Sequence, residues 1–515
     1  MRPFHEKLSR PWTMRALAAG LLCLGTLLPH GVAAQRPLVI RQAQLIDGTG
    51  APRRVGSVRV VGDRIVAVGD VRAEPGDSVI DAHGLVLAPG FIDSHSHHGT
   101  ELFRPDSLRR AGLAMVSQGV TTIVVGQDGS GMGLRARFDT LTKRPVAVNV
   151  ASYVGHGSVR RAVLGANFTR AATVAEQARM AAIVRDEMAA GALGLSTGLE
   201  YDPGIYATPD EVLALAKIVA KVGGRYISHI RSEDRDFWPA LREVITIGQV
   251  TGMPVQVSHI KLGMRDLWGQ AGRVLTTLNE ARRAGIRITA DIYPYLYWHS
   301  NLGVFYPRRN FADSAETAFI LSHVSGAEDI ILSEPDGHPE YRGKTVAQIA
   351  AARGESPVRT MLSLLAEPGG RDYGVVAKGM DVRDMEQLLQ WPFTNVCSDG
   401  ASTGLHPRGF GSFAQVLGPF VRDRKLFTLE EAVRKMTTLS AANLGLRQRG
   451  RLAPGYFADL VLFDPATITD HATFETPQAL ATGVASVWVN GTLVFQQGQV
   501  SGQFPGRPIR RGTAR

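Results

Sequence analysis

Cysteine is nearly absent: Cys23 and Cys397 are the two in 515 residues. A disulfide scaffold is therefore excluded, and a chain of this length buries enough surface to do without one. Lysine is scarce too, with 9 of the 57 basic residues, and the rest are arginine. The formal charge of +10 and a pI near 9.7 invite a nucleic-acid partner. No basic arm, zinc-finger spacing or aromatic-interleaved groove accompanies them, so a solvated basic surface is the reading and nucleic acid is excluded. Long apolar runs are missing beyond one near the N-terminus. What is there, 44% hydrophobic and 20% charged residues, is the composition of a globular protein. It excludes a disordered, collagen-like or membrane-embedded chain. The length fits two to four domains, or one large barrel with appendages.

Residues 1–34 have the pattern of a secretory leader. Basic residues up to Arg15 precede an apolar run from Ala16 to Leu28, and small residues follow at Val32, Ala33 and Ala34. Cleavage near Ala34 would leave Gln35 first. Met14 is an alternative start that gives a leader of more ordinary proportions. The 13-residue run is short for a bilayer span, so no stable membrane span is expected. Leu22 before Cys23 is bulky for a lipidation site. The mature chain is expected to be periplasmic or secreted, keeping one thiol, Cys397, that persists best if buried.

Residues 37–88 alternate apolar and polar positions in short runs: Leu38-Val39-Ile40, Val58-Arg59-Val60 and Arg64 to Val68. Asp47-Gly48, Gly62-Asp63 and Glu74-Pro75-Gly76 separate them, which predicts antiparallel β structure. Asp459 to Phe463 and Val487 to Phe495 look the same, the latter turning at Asn490-Gly491. Between these ends, apolar strands are predicted near residues 92, 123, 148, 195, 227, 256, 289 and 396. Most gaps of 25 to 47 residues suit a strand plus its helix, and eight such units make a barrel. The last gap, 107 residues, must hold an insertion, with helices expected over 315–324 and 345–353. The predicted fold is an α/β protein: a (β/α)8 TIM-type barrel with a small β-sandwich domain built from both termini. Its segments are the signal peptide 1–34, sandwich 35–88, barrel 89–445 with an insertion at about 297–390, sandwich 446–505 and tail 506–515.

Chemistry concentrates where those strands end. His95-Ser96-His97 follows Ile92-Asp93, and residues two apart on a strand share a face. Two neutral imidazoles on one rigid segment make a preorganised zinc pair. For an isolated His-x-His, polar residues at a loop start are the plainer reading. His229 and His259 shift the balance, each in a Ser-His-Ile after an apolar run, 30 residues apart. Burying four histidines unpaired at strand ends would be costly. Asp399 then follows Val396-Cys397-Ser398 at the end of the last strand, placed to touch a metal and to carry a proton.

Gly90 to His97, the single histidines on strands five and six and the last-strand Asp399 resemble the metal-dependent amidohydrolase superfamily. Gly191 to Leu199, His229-Ile230-Arg231-Ser232-Glu233, Ser258 to Lys261, Ser398-Asp399-Gly400 with His406-Pro407-Arg408, and Arg449 to Val461 resemble the N-acyl-D-amino-acid deacylases. The resemblance spans roughly 36–505. It implies an enzyme that hydrolyses the amide of N-acyl-D-amino acids to a carboxylate and a D-amino acid. It implies one or two zinc ions, or another divalent metal, with metal-bound hydroxide as nucleophile and Asp399 as proton shuttle. A peptidase acting on dipeptides, D-residue-containing or isoaspartyl peptides, or a cyclic amide hydrolase, would use the same site.

Two features depart from the family. No lysine lies on strand four to bridge two metals, and the Gly-x-Cys-Gly setting of familiar deacylases reads Gly126-Gln127-Asp128-Gly129 here. Glu200 is the preferred replacement, giving His95, His97, Glu200, His229, His259 and Asp399 as ligands, with Asp128 the rival. Lys261 and Arg408 are expected to hold the carboxylate of a small-molecule substrate. Arg231 is a further substrate contact, unless it forms a rim ion pair together with Glu233. Tyr201 and Tyr293 line the pocket or pack. His98 and His156 are at most outer partners, and Cys397 is a small buried hydrophobe. The oligomeric state stays open.

Overall fold

A computed structural model describes residues 36–513. The expected leader 1–34, with Met14 and Cys23, lies outside the described residues. No helix among the described residues is long and apolar enough to cross a membrane.

Eight parallel strands appear at the eight expected places. They are β1 (Phe91–Asp93), β2 (Val120–Val125), β3 (Asn149–Ser152), β4 (Gly194–Gly198), β5 (Arg225–His229), β6 (Val255–Val257), β7 (Ile288–Ile292) and β8 (Thr394–Val396). β3 is interrupted at Tyr153: its first half pairs with β2, and its continuation Val154–Gly155 pairs with β4. The remaining neighbours pair in sequence order from β4 to β8. The ring closes just beyond the strands. The Asp399 N–H donates to the His95 carbonyl at 2.8 Å and the His97 N–H to the Gly400 carbonyl at 2.9 Å. Closure thus runs through the very residues expected to carry chemistry. The strands are buried on both faces, which is why they read as short apolar runs rather than alternating ones.

Local sequence sets the strand ends. The helix Val174–Ala190 opens with a reciprocal cap between Thr173 and Glu176 and stops at Gly191, whose φ of 109° suits a residue without a side chain. That stop turns the chain into β4 and fixes the register that delivers Glu200 to the barrel mouth.

The insertion between β7 and β8 has a core of its own, including Leu302, Phe305, Ile320, Leu332, Met361 and Val375. Its helices include Ser314–Phe319 and Val346–Arg353, at the expected positions. Its three-stranded antiparallel sheet, Tyr297–Asn301, Gly374–Lys378 and Ile330–Glu334 in spatial order, has no counterpart among the predicted strands. Helix Val382–Gln390 belongs to the barrel instead, because Met385, Leu388 and Leu389 join the main core.

Both ends of the chain meet in a nine-stranded sheet, with Leu38–Leu45, Arg54–Val61 and Val86–Pro89 from one end and Leu460–Phe463, Val484–Val489 and Thr492–Gln496 from the other. The two ends join by β-pairing of Val86–Pro89 with Leu460–Phe463 and by a bridge between Arg64 and Phe457. At the Asn490-Gly491 turn both residues have positive φ, 47° and 79°, the conformation a two-residue hairpin demands. This small β-domain is tied to β3: buried Asp459 accepts from Arg449, from the Asn490 N–H at 2.8 Å and from Asn149 at 3.3 Å.

Candidate metal centre

The C-terminal ends of the strands converge on one cluster. His95 and His97 follow β1, and Asp128 follows β2 in a glycine-rich loop. Glu200 follows β4, His229 ends β5, His259 follows β6 and Asp399 follows β8. Three of them, Asp128, His259 and Asp399, have positive φ (52°, 32° and 47°), a conformation commonest for Asn, Asp and His among residues with side chains. Such backbone is sustained only where the surroundings enforce it.

The Asp128 carboxylate lies at the crossing point. Its Oδ2 is 3.2 Å from His95 Nε2 and 3.1 Å from His97 Nε2, and its Oδ1 is 3.4 Å from His259 Nε2. Asp399 Oδ1 faces the first pair from the other side, at 3.3 Å from His95 Nε2 and 3.1 Å from His97 Nε2. His229 Nδ1 and His259 Nε2 face each other at 3.1 Å. Donor atoms of His95, His97, Asp128 and Asp399 therefore form one group able to hold a cation. Asp128, His229 and His259 form a second, and Glu200, His229 and Glu233 a third.

Two observations test whether the residues fit a metal. Asp128 Oδ1 is buried with no hydrogen-bond partner, an arrangement that costs free energy unless a cation or proton occupies the space. Electrostatics point the same way. Burial opposes a charged His95 ring, yet Asp128 and Asp399 outweigh it and hold its pKa well above the ordinary value. His259 is pushed up to about 9, against burial and Lys261, by Glu233, Asp399 and Asp128. The centre is built to attract positive charge, and its donors are nitrogen and oxygen, the set that suits zinc and similar divalent ions. The residues fit.

Several expected roles change. Asp128, not Glu200, stands between the two histidine pairs. Glu200 Oε2 instead sits 2.8 Å from His229 Nε2 and joins His229 and Glu233 in a separate donor group rather than standing between the two histidine pairs. Lys261 is not a free cation: its Nζ lies 2.6 and 2.7 Å from the two oxygens of Glu233, and 2.8 Å from His259 Nδ1. Arg231 turns outward into a two-pronged pair with Glu243, both contacts 2.8 Å, and also donates to the Ala207 carbonyl. It lines a separate groove with Pro209 and Pro239 rather than the cleft. Tyr293 is fully buried beside the Arg408 guanidinium, 4.8 Å from its ring, with its hydroxyl unpartnered.

Arg408 and Tyr201 do border the cleft over the centre. Arg408 Nη1 donates to Asp399 Oδ2 at 2.6 Å, and its backbone N–H donates to His406 Nδ1. Burial raises the Asp399 carboxyl, but Arg408, His259 and His95 together hold it well below the usual range. Tyr201 lies with its ring centroid 4.3 Å from that of His229. His98 bonds Ser402, and His156 pairs with Glu211 beside Arg160, so neither reaches the centre. Cys397 is buried against Asp291, and burial pushes its thiol pKa well up, as suits an inert small hydrophobe.

Asp93, inside the Gly90 to His97 motif, and Asp291 are neighbours of the centre to which the sequence reading assigns no role. Asp93 accepts from the Ser398 N–H and hydroxyl, joining β1 to β8, and Asp291 accepts from the His259 N–H at 2.5 Å. Asp93 ends β1, and Asp291 stands one residue before the end of β7. Trp298, His299 and Val304 of the insertion also border the cleft, and no motif announces them.

A parallel eight-stranded barrel with His-x-His after β1, histidines at β5 and β6 and aspartate after β8 defines a metal-dependent hydrolase of the amidohydrolase type. The chain belongs to the amidohydrolase family, whose profile matches residues 78–352 and 403–495. It is 37% identical to a D-aminoacylase of Alcaligenes xylosoxydans xylosoxydans over 93% of this chain and 98% of that one. It is 36% identical to an N-acyl-D-aspartate deacylase of the same organism, over 93% and 96%. The crystal structure of an N-acyl-D-glutamate deacylase from Bordetella bronchiseptica, complexed with zinc and a phosphonate mimic of the tetrahedral intermediate, superposes with a TM-score of 0.82. It is 35% identical and covers 92% of this chain and 99% of that one.

Proposed function

We propose that the protein is a zinc-dependent hydrolase of N-acyl-D-amino acids, releasing a carboxylic acid and a D-amino acid. The observation that carries this reading is the Asp128-centred cluster of four histidines with Asp399 and Arg408 at its edge. Relatives that act on N-acyl-D-amino acids, similar along almost the whole chain, support it. His95, His97, Asp128, His229 and His259 would hold one or two ions, with Asp399 at the boundary. Bound zinc supplies Lewis acidity, polarising the amide carbonyl and lowering the pKa of a water toward ~7.

The chain's own groups do the rest. Asp399, ionised at neutral pH through Arg408, accepts a proton as water adds to the carbonyl carbon. It returns that proton to the nitrogen as the C–N bond breaks, since an amine leaves only when protonated. Arg408 keeps further N–H groups after its bond to Asp399 and takes the substrate carboxylate, a geometry suited to a guanidinium. Fixing the carboxylate and the scissile carbonyl at two points leaves one placement for the α-substituents, and this selects the stereoisomer. The leader pattern supports action in the periplasm or outside the cell.

The zinc-loaded protein should release amino acid from N-acetyl-D-amino acids at least about a hundredfold faster than from their L-forms. Amino-acid release from matched D- and L-series, with dipeptides alongside, measures this. Turnover confined to dipeptides, or to the L-series, would overturn the reading.

A further inference from the structure

A neutral imidazole carries one N–H and one lone pair, so a ring that binds a metal through one nitrogen keeps its proton on the other. Whatever accepts that proton decides which nitrogen is offered to the metal. The two nitrogens of His229 meet different surroundings. Nδ1 lies 3.1 Å from His259 Nε2, and His259 Nε2 lies 3.4 Å from Asp128 Oδ1. Nε2 meets acids, Glu200 Oε2 at 2.8 Å and Glu233 Oε2 at 3.9 Å. An ionised carboxylate has no proton to give, so the hydrogen bond to Glu200 requires an N–H on Nε2 and leaves the lone pair on Nδ1.

Between the two acids, Glu233 is committed elsewhere: its oxygens accept from Lys261 Nζ at 2.6 and 2.7 Å, and one lies 3.0 Å from His259 Nδ1. Glu200 is the one within hydrogen-bond reach of Nε2, and it is held there. Its Oε1 accepts from the Glu233 N–H at 3.4 Å. Its backbone carbonyl accepts from Arg309 at 2.8 Å, and Arg309 is anchored in turn on Asp202 at 2.9 Å. Glu200, His229 and Glu233 could together surround a cation. A cation there would compete with the Lys261 ammonium for Glu233 and would take the Nε2 lone pair, turning His229 away from Asp128 and His259.

The geometry points to Glu200 as a positioning residue that accepts the His229 Nε2–H, and so holds the ring in the tautomer and orientation that leave Nδ1 to bind zinc. This inference rests on the zinc centre of the proposed function, not on its substrate. A parent protein that binds no zinc would remove both; where the parent binds it, the Glu200 variants put the inference alone at stake.

Glu200→Ala should bind the parent number of ions with zinc affinity lowered about 10–100-fold, read by metal analysis and chelator competition on the full chain. Glu200→Gln keeps an oxygen able to accept the Nε2–H and should lose less. In the cobalt-loaded protein, one histidine ring N–H resonance should exchange with solvent faster in Glu200→Ala than in the parent, while those of the other ligands stay as they were. If Glu200→Ala does not fold, Glu200→Gln carries the same test, with lowered affinity at the parent stoichiometry. Disappearance of one ion equivalent would make Glu200 a ligand. Unchanged affinity, or affinity lost with every ring N–H unmoved, would make its role structural; each of these results overturns the assignment.

Discussion

Asp399→Asn should bind zinc and turn over substrate about 10²–10⁴-fold more slowly, the range a positioned proton-transfer group contributes. Asparagine keeps the shape and one oxygen, so the Asp128, His229 and His259 donor group is untouched. What disappears is a group able to take a proton from water and give it to the departing nitrogen. The carboxylate is prepared for that work by its neighbours: Arg408 at 2.6 Å keeps it ionised, and His95 and His97 at 3.3 and 3.1 Å hold its other oxygen toward the centre. Single-turnover rates together with zinc content provide the measurement. A variant within tenfold of the parent rate, with zinc bound, would show that the proton travels by another route.

Asp128→Ala should weaken zinc binding by more than the ~10–100-fold expected of an orienting partner such as Glu200. Its two oxygens are divided between the His95–His97 pair and His259, so one deletion removes a donor from both halves of the centre. Asp128→Cys, which returns the Gly-x-Cys-Gly pattern of the resembling deacylases, should restore binding and shift preference toward softer ions. Chelator competition with zinc, cobalt and manganese across both variants decides the matter. If Glu200→Ala proves the more damaging substitution, the bridge belongs to Glu200.

Much of this architecture is legible in the amino-acid order alone. The eight strands announce themselves as short apolar runs because a parallel barrel buries both faces of each strand, and their spacing follows from the helix each unit must contain. The histidines stand out for a related reason: His95, His97, His229 and His259 each directly follow such a run, where the barrel places its open end. The hairpin at Asn490-Gly491 is written in residues that tolerate positive φ. Less legible is the insertion's sheet, whose strands Tyr297–Asn301 and Gly374–Lys378 pair across more than seventy residues. No local pattern reports such a pairing.

The sequence by itself determined the barrel, the meeting of both chain ends in one β-domain, the four histidines and Asp399, since each is encoded in periodicity or in position after a strand. Tertiary structure decided which carboxylate stands between the two histidine pairs and which acid each cation faces. Asp128 and Glu200 both read as acids following strands, β2 and β4, and the sequence reading prefers Glu200. Folding places Asp128 against His95, His97 and His259, and Glu200 against His229. Lys261 and Arg408 are equal as cations until folding sets Glu233 against the first and Asp399 against the second. Charge in the sequence is a property of residues, whereas available charge depends on distances that only folding sets.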